Sequence, residues 1–364
     1  MIPEAPQPVR IARPIFGSGG RTYVFKQVRS SVSNSVVFTK TGILPQLKEY
    51  WNDKLLDHQG GAPRAVATKG IVVVSPYYGN AAILPCFVEH HRRLGVDEFV
   101  FLDLSEDGGL AAQLREQPDC AVWRPRAGAD PGQAIYWLNS LRRRYATGRW
   151  CLSLEPSDLF VFARSESRRI KDFVEFLETE HRDHVYAVVV EMYGDRPAAG
   201  LSLGAGESPL DRLPYFDPFG YWISDTGNHG NVLMRGGVQR RTLFAETPAR
   251  SPSLSRIPLV KWRRFYAYVA GTRLMVPTRL NTPHSKWHTS PTACLLRFAL
   301  LDGDASLAAA AAAESHEIVP DDGGSSYAAI PRLRRRELKQ AASARFTAST
   351  DLVNCGLLNP GQWF

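Results

Sequence analysis

The chain has 364 residues, 44% hydrophobic and 22% charged, which excludes a disordered polymer and leaves room for one large domain or two smaller ones. Lys and Arg number 44 against 36 Asp and Glu, a net charge of +8 with a pI near 9.3, so anionic partners are favoured: nucleotide diphosphates, membrane surfaces or nucleic acid. Five scattered cysteines without a C-x-x-C pair support neither a zinc knuckle nor a disulfide framework. No apolar run reaches the ~18 residues of a membrane span.

Residues 1–68, with Pro, Gly and Ser scattered throughout, read as an N-terminal extension with short strands at 21–28 and 35–40 and a helix at 44–58. "FGSGGRT" at 16–22 lacks the Lys-Ser/Thr ending of a phosphate loop and reads as a turn. From residue 69 strands and helices alternate. "KGIVVVSPYYGN" carries the continuous apolar run of a strand buried on both faces. A helix at 81–95 with a glycine stop, a strand at 97–104, a helix at 110–117 and a strand at 120–125 follow. Next come a helix at 131–148 with Pro131 in its first turn, a strand at 150–154, a helix at 166–181 and a strand at 185–193. This alternation predicts an α/β fold: a Rossmann-like, mostly parallel sheet with helices on both faces. Ligands of such sheets sit at the C-terminal ends of the strands. Here those ends are Tyr77–Asn80, Asp103–Gly109 and Glu155–Asp158.

After residue 200 the regularity weakens, and the aromatic, turn-rich stretch 200–231 has the character of an acceptor-binding loop. The alanine-rich run 306–318 is helix-prone. The arginine clusters at 141–145 and 332–336 read as solvated helix faces without the interleaved aromatics of a nucleic-acid platform. His284 and His288 have four-residue spacing but no acidic residue between them, and read as loop. His90 and His91 read as surface or structural histidines of the first helix.

"ILPCFVEHHRRLGVDEFVFLD", "YWLNSLRRRYATGRWCLSLEPSDLFVF", "YFDPFGY", "RGGVQRR", "IPLVKWRRFYAYV" and "CLLRFALL" together form a framework over residues 70–300. This framework resembles bacterial family 2 glycosyltransferases of the subgroup related to family 92, which have a GT-A fold. The resemblance implies a GT-A-like nucleotide-sugar domain over 69–250, including an acceptor loop, with residues 251–364 packed on it as a helical and irregular segment. The polar positions depart from the family pattern. Arg-Asn-Glu is replaced by Tyr78-Gly79-Asn80, and the Asp-Asn turn by Asp103 through Gly108. The acidic Asp-x-Asp-Glu motif is replaced by Glu155-Pro156-Ser157-Asp158. Ser-Thr-His becomes Gly271-Thr272-Arg273, and His-Phe-Lys-Phe becomes Arg297-Phe298-Ala299-Leu300.

In the family, Mg²⁺ or Mn²⁺ held by carboxylates offsets the charge that builds on a departing diphosphate. The resemblance makes Glu155 and Asp158 the candidate metal ligands and Asp158 the candidate general base, while Ser157 offers only a neutral hydroxyl. Both acids equally suit the capping of a turn. Tyr78, Asn80, Asp103 and Asp107 are candidates for the nucleotide, and Arg240 and Arg241 for its diphosphate or for packing against acidic loops. Arg273 and Arg297 are candidates to replace a missing metal by fixed positive charge. Tyr215, Asp217 and Trp222 are candidates for the acceptor.

Two functions are therefore expected. One is transfer of a sugar from a nucleotide-sugar donor to a surface glycan or polysaccharide precursor, with Mn²⁺ or Mg²⁺ if the altered acidic site still binds metal. The other is a pseudoenzyme: a transferase scaffold that binds a glycan or an intact homologous transferase. The expected location is cytoplasmic, with any membrane contact peripheral at the inner membrane, and no nucleic acid is expected as partner.

Overall fold

A computed structural model describes residues 55–62, 64–204, 206–225, 232–264, 266–270, 273–275, 291–315 and 325–361. The strands expected at 21–28 and 35–40, and most of the helix expected at 44–58, lie outside them. The main sheet has nine strands: β1 (Leu56–Gly60), β2 (Ile71–Tyr77), β3 (Glu98–Asp103), β4 (Cys120–Pro125), β5 (Trp150–Ser153), β6 (Asp158–Phe162), β7 (His184–Glu191), β8 (Ser255–Lys261) and β9 (Ala293–Arg297), in the spatial order β1-β4-β3-β2-β5-β8-β7-β9-β6. Strands β4, β3, β2 and β5 pair in parallel, as do β7 and β9, whereas β1, β8 and β6 run antiparallel to their neighbours. The protein is thus α/β with a mostly parallel, Rossmann-like sheet, the class expected from the alternating pattern.

Burial on both faces explains the uninterrupted apolar runs. Ile71 and Val73 of β2 face one core and Val72 and Val74 the other, as period-2 geometry requires. Helices α1 (Leu84–Leu94) and α3 (Ile170–Thr179) cover the first face, and α2 (Ala134–Ala146) the second. Helix α1 has Pro85 in its first turn and closes at Gly95, whose φ of 98° is the left-handed cap that glycine adopts without a Cβ clash. Its last turn carries Arg92 and Arg93, suited to the negative end of the helix dipole. On this face Phe173 of α3 stacks on Phe162 with centroids 4.9 Å apart. On the other face Asn139 of α2 clamps the backbone of Tyr268 in both directions, at 2.8 and 3.0 Å. His90 and His91 are structural: His91 is buried against Phe87 and the backbone of Phe160, and His90 bonds the Phe160 carbonyl.

Two expectations are corrected. The expected helix at 44–58 gives way at its end to strand β1, which pairs with the outer edge of β4, so part of the N-terminal extension belongs to the sheet. His58 of β1 packs its ring on Trp123 of β4 at 5.0 Å, which fixes that pairing. Residues 251–364, expected as a helical and irregular segment packed on the nucleotide-sugar domain, supply two inner strands of the sheet: β8 lies between β5 and β7, and β9 between β7 and β6. The boundary expected at residue 250 therefore runs through one sheet. Among the described residues no helix is long and apolar enough to cross a membrane.

Phe162 is fully buried against Phe160 and Phe173. Phe162→Ala is expected to lower the unfolding free energy by about 3–5 kcal/mol, read from urea titration.

Candidate functional site

Strands β2, β3, β5, β7 and β9 end on one edge of the sheet, and β6 begins there. Register alone brings the central charges together. Asp158, the first residue of β6, lies opposite Arg297, the last of β9, and Arg297 lies beside Glu191, the last of β7. The Arg297 guanidinium grips Asp158 with two parallel bonds, Nε to Oδ1 and Nη2 to Oδ2, both 2.7 Å. The side chains are 5% and 2% exposed, so this fork-to-fork pair sits out of water. Arg297 also donates to Ser326 Oγ at 3.1 Å and lies over the Tyr327 ring at 4.9 Å. Burial alone would depress the Arg297 pKa, but Asp158, together with Tyr327 and Glu155, holds it well above the ordinary arginine value.

Two further carboxyls face this pair and resist ionisation. Burial pushes Glu155 up to about 8, with Asp158 and Glu314 adding to the shift and Arg297 and Arg256 opposing it. Its side chain keeps a window on the cleft, and it forms no hydrogen bond or ion pair among the described residues. Asp302 is buried and pushed up to about 7, chiefly by desolvation and by Asp158, against hydrogen bonds to Asn80 and Ser157. The Arg297 guanidinium thus holds Asp158 in an acidic centre in which Glu155 and Asp302 keep their protons to near-neutral pH.

These residues do not fit a divalent cation. Both oxygens of Asp158 are engaged by Arg297, Ser157 supplies no charge, and Glu155 is the weak acid just described. Among the described residues no group of three or more His, Cys, Asp or Glu side chains is placed to hold a metal ion.

The cleft above the pair holds a cavity of about 110 Å³, lined among others by Tyr78, Leu138, Glu155, Tyr268 and Arg297. Pockets for small-molecule ligands run to roughly 300–1,000 Å³. Helix α5 (Asp304–Ser315) accounts for the small size, since Ala313 and Glu314 form part of the lining. Near the start of this helix Ser306 sits against Gly79, where a Cβ would meet its hydroxyl at 3.4 Å. Asp304 is tied to Arg334 at 2.7 Å. Near its end Glu314 accepts from Ser325 Oγ, Ser326 N and Ser326 Oγ at 2.6–2.7 Å and lies 3.7 Å from Arg256. The run expected to be helical on alanine content is therefore a small-side-chain rod laid across the strand ends.

The structure brings Tyr78, Glu155, Asp158 and Arg297 together at this cleft. Asn80 lies at its margin, where its side chain bonds Asp302 and accepts from Tyr78 N at 3.3 Å. Asp103 is committed to its own loop: it accepts from Ser105 N at 3.0 Å and Oγ at 2.5 Å and pairs with Arg124 at 3.2 Å. Asp107 is exposed and accepts from Gly109 N at 3.4 Å. Helix α4 (Gly237–Leu243) does not turn its start to the cleft cavity; Glu191 accepts there from Gln239 N at 3.1 Å and Nε2 at 2.6 Å. On this helix Arg241 pairs with Asp217 at 2.8 Å and bonds the Leu338 carbonyl, while Arg240 bonds the Gly220 carbonyl at 3.2 Å. Both arginines thus hold the aromatic loop 215–222. Tyr215 packs under Lys339, and Trp222 is exposed. The side chain of Arg273, and His284 and His288, lie outside the described residues.

Four side chains at the cleft carry chemistry that the sequence reading passed over: Arg142, Arg256, Asp302 and Glu314. Arg142 belongs to the cluster expected on a solvated helix face, but it is buried, 4.6 Å from the Tyr268 ring centroid, and bonded to Ser153 Oγ. Two of them had a nearby signal: Arg142 lies in the arginine cluster at 141–145, and Asp302 directly follows the quoted stretch that carries Arg297.

No family model and no curated protein matches the chain. Among solved structures it is similar to the mannosyltransferase PcManGT from Pyrobaculum calidifontis, in complex with GDP-Man and Mn²⁺, at 18% identity over 47% of this chain and 48% of that one, with a TM-score of 0.23. The match spans about half of the mannosyltransferase. A second similar structure is 4-diphosphocytidyl-2C-methyl-D-erythritol synthase, at 12% identity over 80% of this chain and 98% of that one, with a TM-score of 0.25.

Removing one partner of the central pair strands the other as a buried charge. Arg297→Met is expected to cost about 3–5 kcal/mol by chemical denaturation at pH 7, and Arg297→Met with Asp158→Leu to recover most of that loss. The raised carboxyls give a second expectation. Their pKa values lie near the usual carboxylate range in the unfolded chain and near 8 and 7 in the folded one. The folded state therefore holds more protons between these limits, and stability falls as pH rises from about 4.5 to about 8. Glu155→Gln, which fixes the neutral form, is expected to raise the melting temperature at pH 9 and leave it unchanged at pH 4.

Proposed function

We propose that this protein is a glycosyltransferase-type scaffold without metal-dependent sugar transfer, retained to bind a glycan or a partner transferase. The observation that carries the reading is the buried Arg297–Asp158 fork, which places a tethered guanidinium on the acidic motif where the family pattern holds a metal. A side-chain cation differs from a divalent ion in two ways that bear on catalysis. It brings one charge instead of two, and it has no open coordination position for a departing diphosphate. Asp158, with both oxygens engaged, is also a poor acceptor for an acceptor hydroxyl's proton. The cleft that remains suits a small polar group, such as one sugar ring or a side chain of a partner, better than a whole nucleotide sugar.

A second reading is favoured by one specific observation: Arg142, Arg256 and Arg297 all line the same cleft. Fixed guanidiniums of this kind stabilise a developing diphosphate charge without metal. In that reading Glu155, facing the cleft with a pKa near 8 and its carboxyl not gripped by a guanidinium fork, is a better proton acceptor than Asp158. Donor and acceptor would be a nucleotide-diphosphate sugar and a surface glycan or polysaccharide precursor.

Isothermal titration with UDP, GDP and CMP, each with and without Mn²⁺, separates these readings. The scaffold reading expects no metal-dependent heat with any of them at millimolar concentration. Metal-dependent nucleotide binding would overturn it, and metal-independent binding that Arg256→Ala weakens at least tenfold would establish the second reading instead.

A further inference from the structure

Four large hydrophobic side chains are exposed among the described residues, and three of them fall within five positions: Phe219 at 65%, Trp222 at 48% and Ile223 at 39%. Scattered single exposures need no explanation, but a cluster does. This one occupies the aromatic loop and the first strand of the hairpin formed by Trp222–Asp225 and Val232–Arg235. Two of its polar groups are turned inward: Tyr221 donates its hydroxyl to the Asp217 carbonyl at 2.9 Å, and the Gly220 carbonyl accepts from Arg240. Phe219, Trp222 and Ile223 face outward.

The flank of this cluster is basic. Residues 332–339, "RLRRRELK", carry five cations and one carboxylate, Glu337. This stretch is held along α4: Arg336 donates to the Thr242 carbonyl at 3.2 Å, and the Leu338 carbonyl accepts from Arg241 at 2.7 Å. Arg335, Arg336 and Lys339 are exposed. Lys339 and Arg345 sit over the Tyr215 ring at 4.1 and 6.0 Å, four residues before Phe219. The chain thus joins outward Phe, Trp and Ile side chains to a rim of cations.

We infer that this face docks on an anionic phospholipid surface, with Phe219, Trp222 and Ile223 entering the headgroup boundary and the 335–345 cations lying against acidic lipid headgroups. Trp and Phe with an aliphatic neighbour, beside a polybasic stretch, form the two-signal combination that gives reversible interfacial binding. A glycan fits less well. A sugar ring stacked on Trp222 needs polar partners around it, and here its described exposed neighbours are Phe219 and Ile223. The inference is independent of what the cleft binds, because none of its residues lines the cleft.

The test is co-sedimentation of the full chain with vesicles of phosphatidylcholine alone or mixed with phosphatidylglycerol, at low and high NaCl. Binding to the mixed vesicles, weak on phosphatidylcholine and weakened by salt, is the expected result. Phe219→Ser with Trp222→Ser is expected to lower partition on the order of tenfold with an unchanged melting temperature, since both side chains are exposed. Arg335→Glu with Lys339→Glu is expected to lower it by about fivefold or more per site. Equal binding to both vesicle types, no effect of either double variant, or retention on an acidic polysaccharide but on neither vesicle would each overturn the inference.

Discussion

A carboxylate and a guanidinium, set opposite each other by strand register and closed off from water, organise the strand-end edge of this protein's sheet. The Asp158–Arg297 pair joins the outermost strand of the sheet to its neighbour. Through Ser326 it reaches Glu314 on α5, and the same serine's carbonyl accepts from Gln239, which in turn holds Glu191. Each link satisfies a buried polar group that would otherwise be costly. The network explains why the C-terminal segment lies where it does. Ser326 and Glu314 are needed to complete the polar centre, and their positions draw α5 over the strand ends.

The electrostatics follow from crowding several carboxyls round few cations. Arg297 can satisfy one carboxylate by a two-pronged bond, and geometry assigns it to Asp158. Glu155 and Asp302, left with weaker support, meet the cost of burial by holding their protons. A divalent ion would reverse this balance, because two positive charges favour ionised carboxylates throughout. The side chains present instead neutralise one another, by the Arg297–Asp158 fork and by the protons held on Glu155 and Asp302.

Much of the frame is legible in the sequence. The runs 71–74 and 99–102 are apolar because they are buried on both faces, and Gly95 marks a helix end because its backbone turns left-handed. The gathering of polar residues at the strand ends, with Glu155, Asp158 and Arg297 among them, also emerges from the chain. What the sequence does not show is who meets whom. The Arg297–Asp158 contact spans 139 positions and depends on β9 entering beside β6, which no local pattern encodes. Arg142 sits in a run of arginines that looks solvated, and the aromatic ring that covers it, Tyr268, lies far along the chain. Glu314 ends a helix whose composition predicts its conformation but not the surface it lies on. Local signals report period and propensity, whereas these contacts arise from long-range pairing.

The placement of β8 and β9 inside the sheet bears on how the protein is made. During synthesis the strands up to β7 emerge first, yet β5 and β7 cannot pair with each other in the native order, because β8 belongs between them. Until residues 255–261 leave the ribosome, the facing edges of β5 and β7 stay open to solvent, and β6 and the other edge of β7 have no native neighbour before residues 293–297 follow. Unpaired edges of this kind are templates for mispairing. The nascent chain thus passes through an interval in which its most apolar strands are available to other chains, and that interval closes only when the last third has been translated.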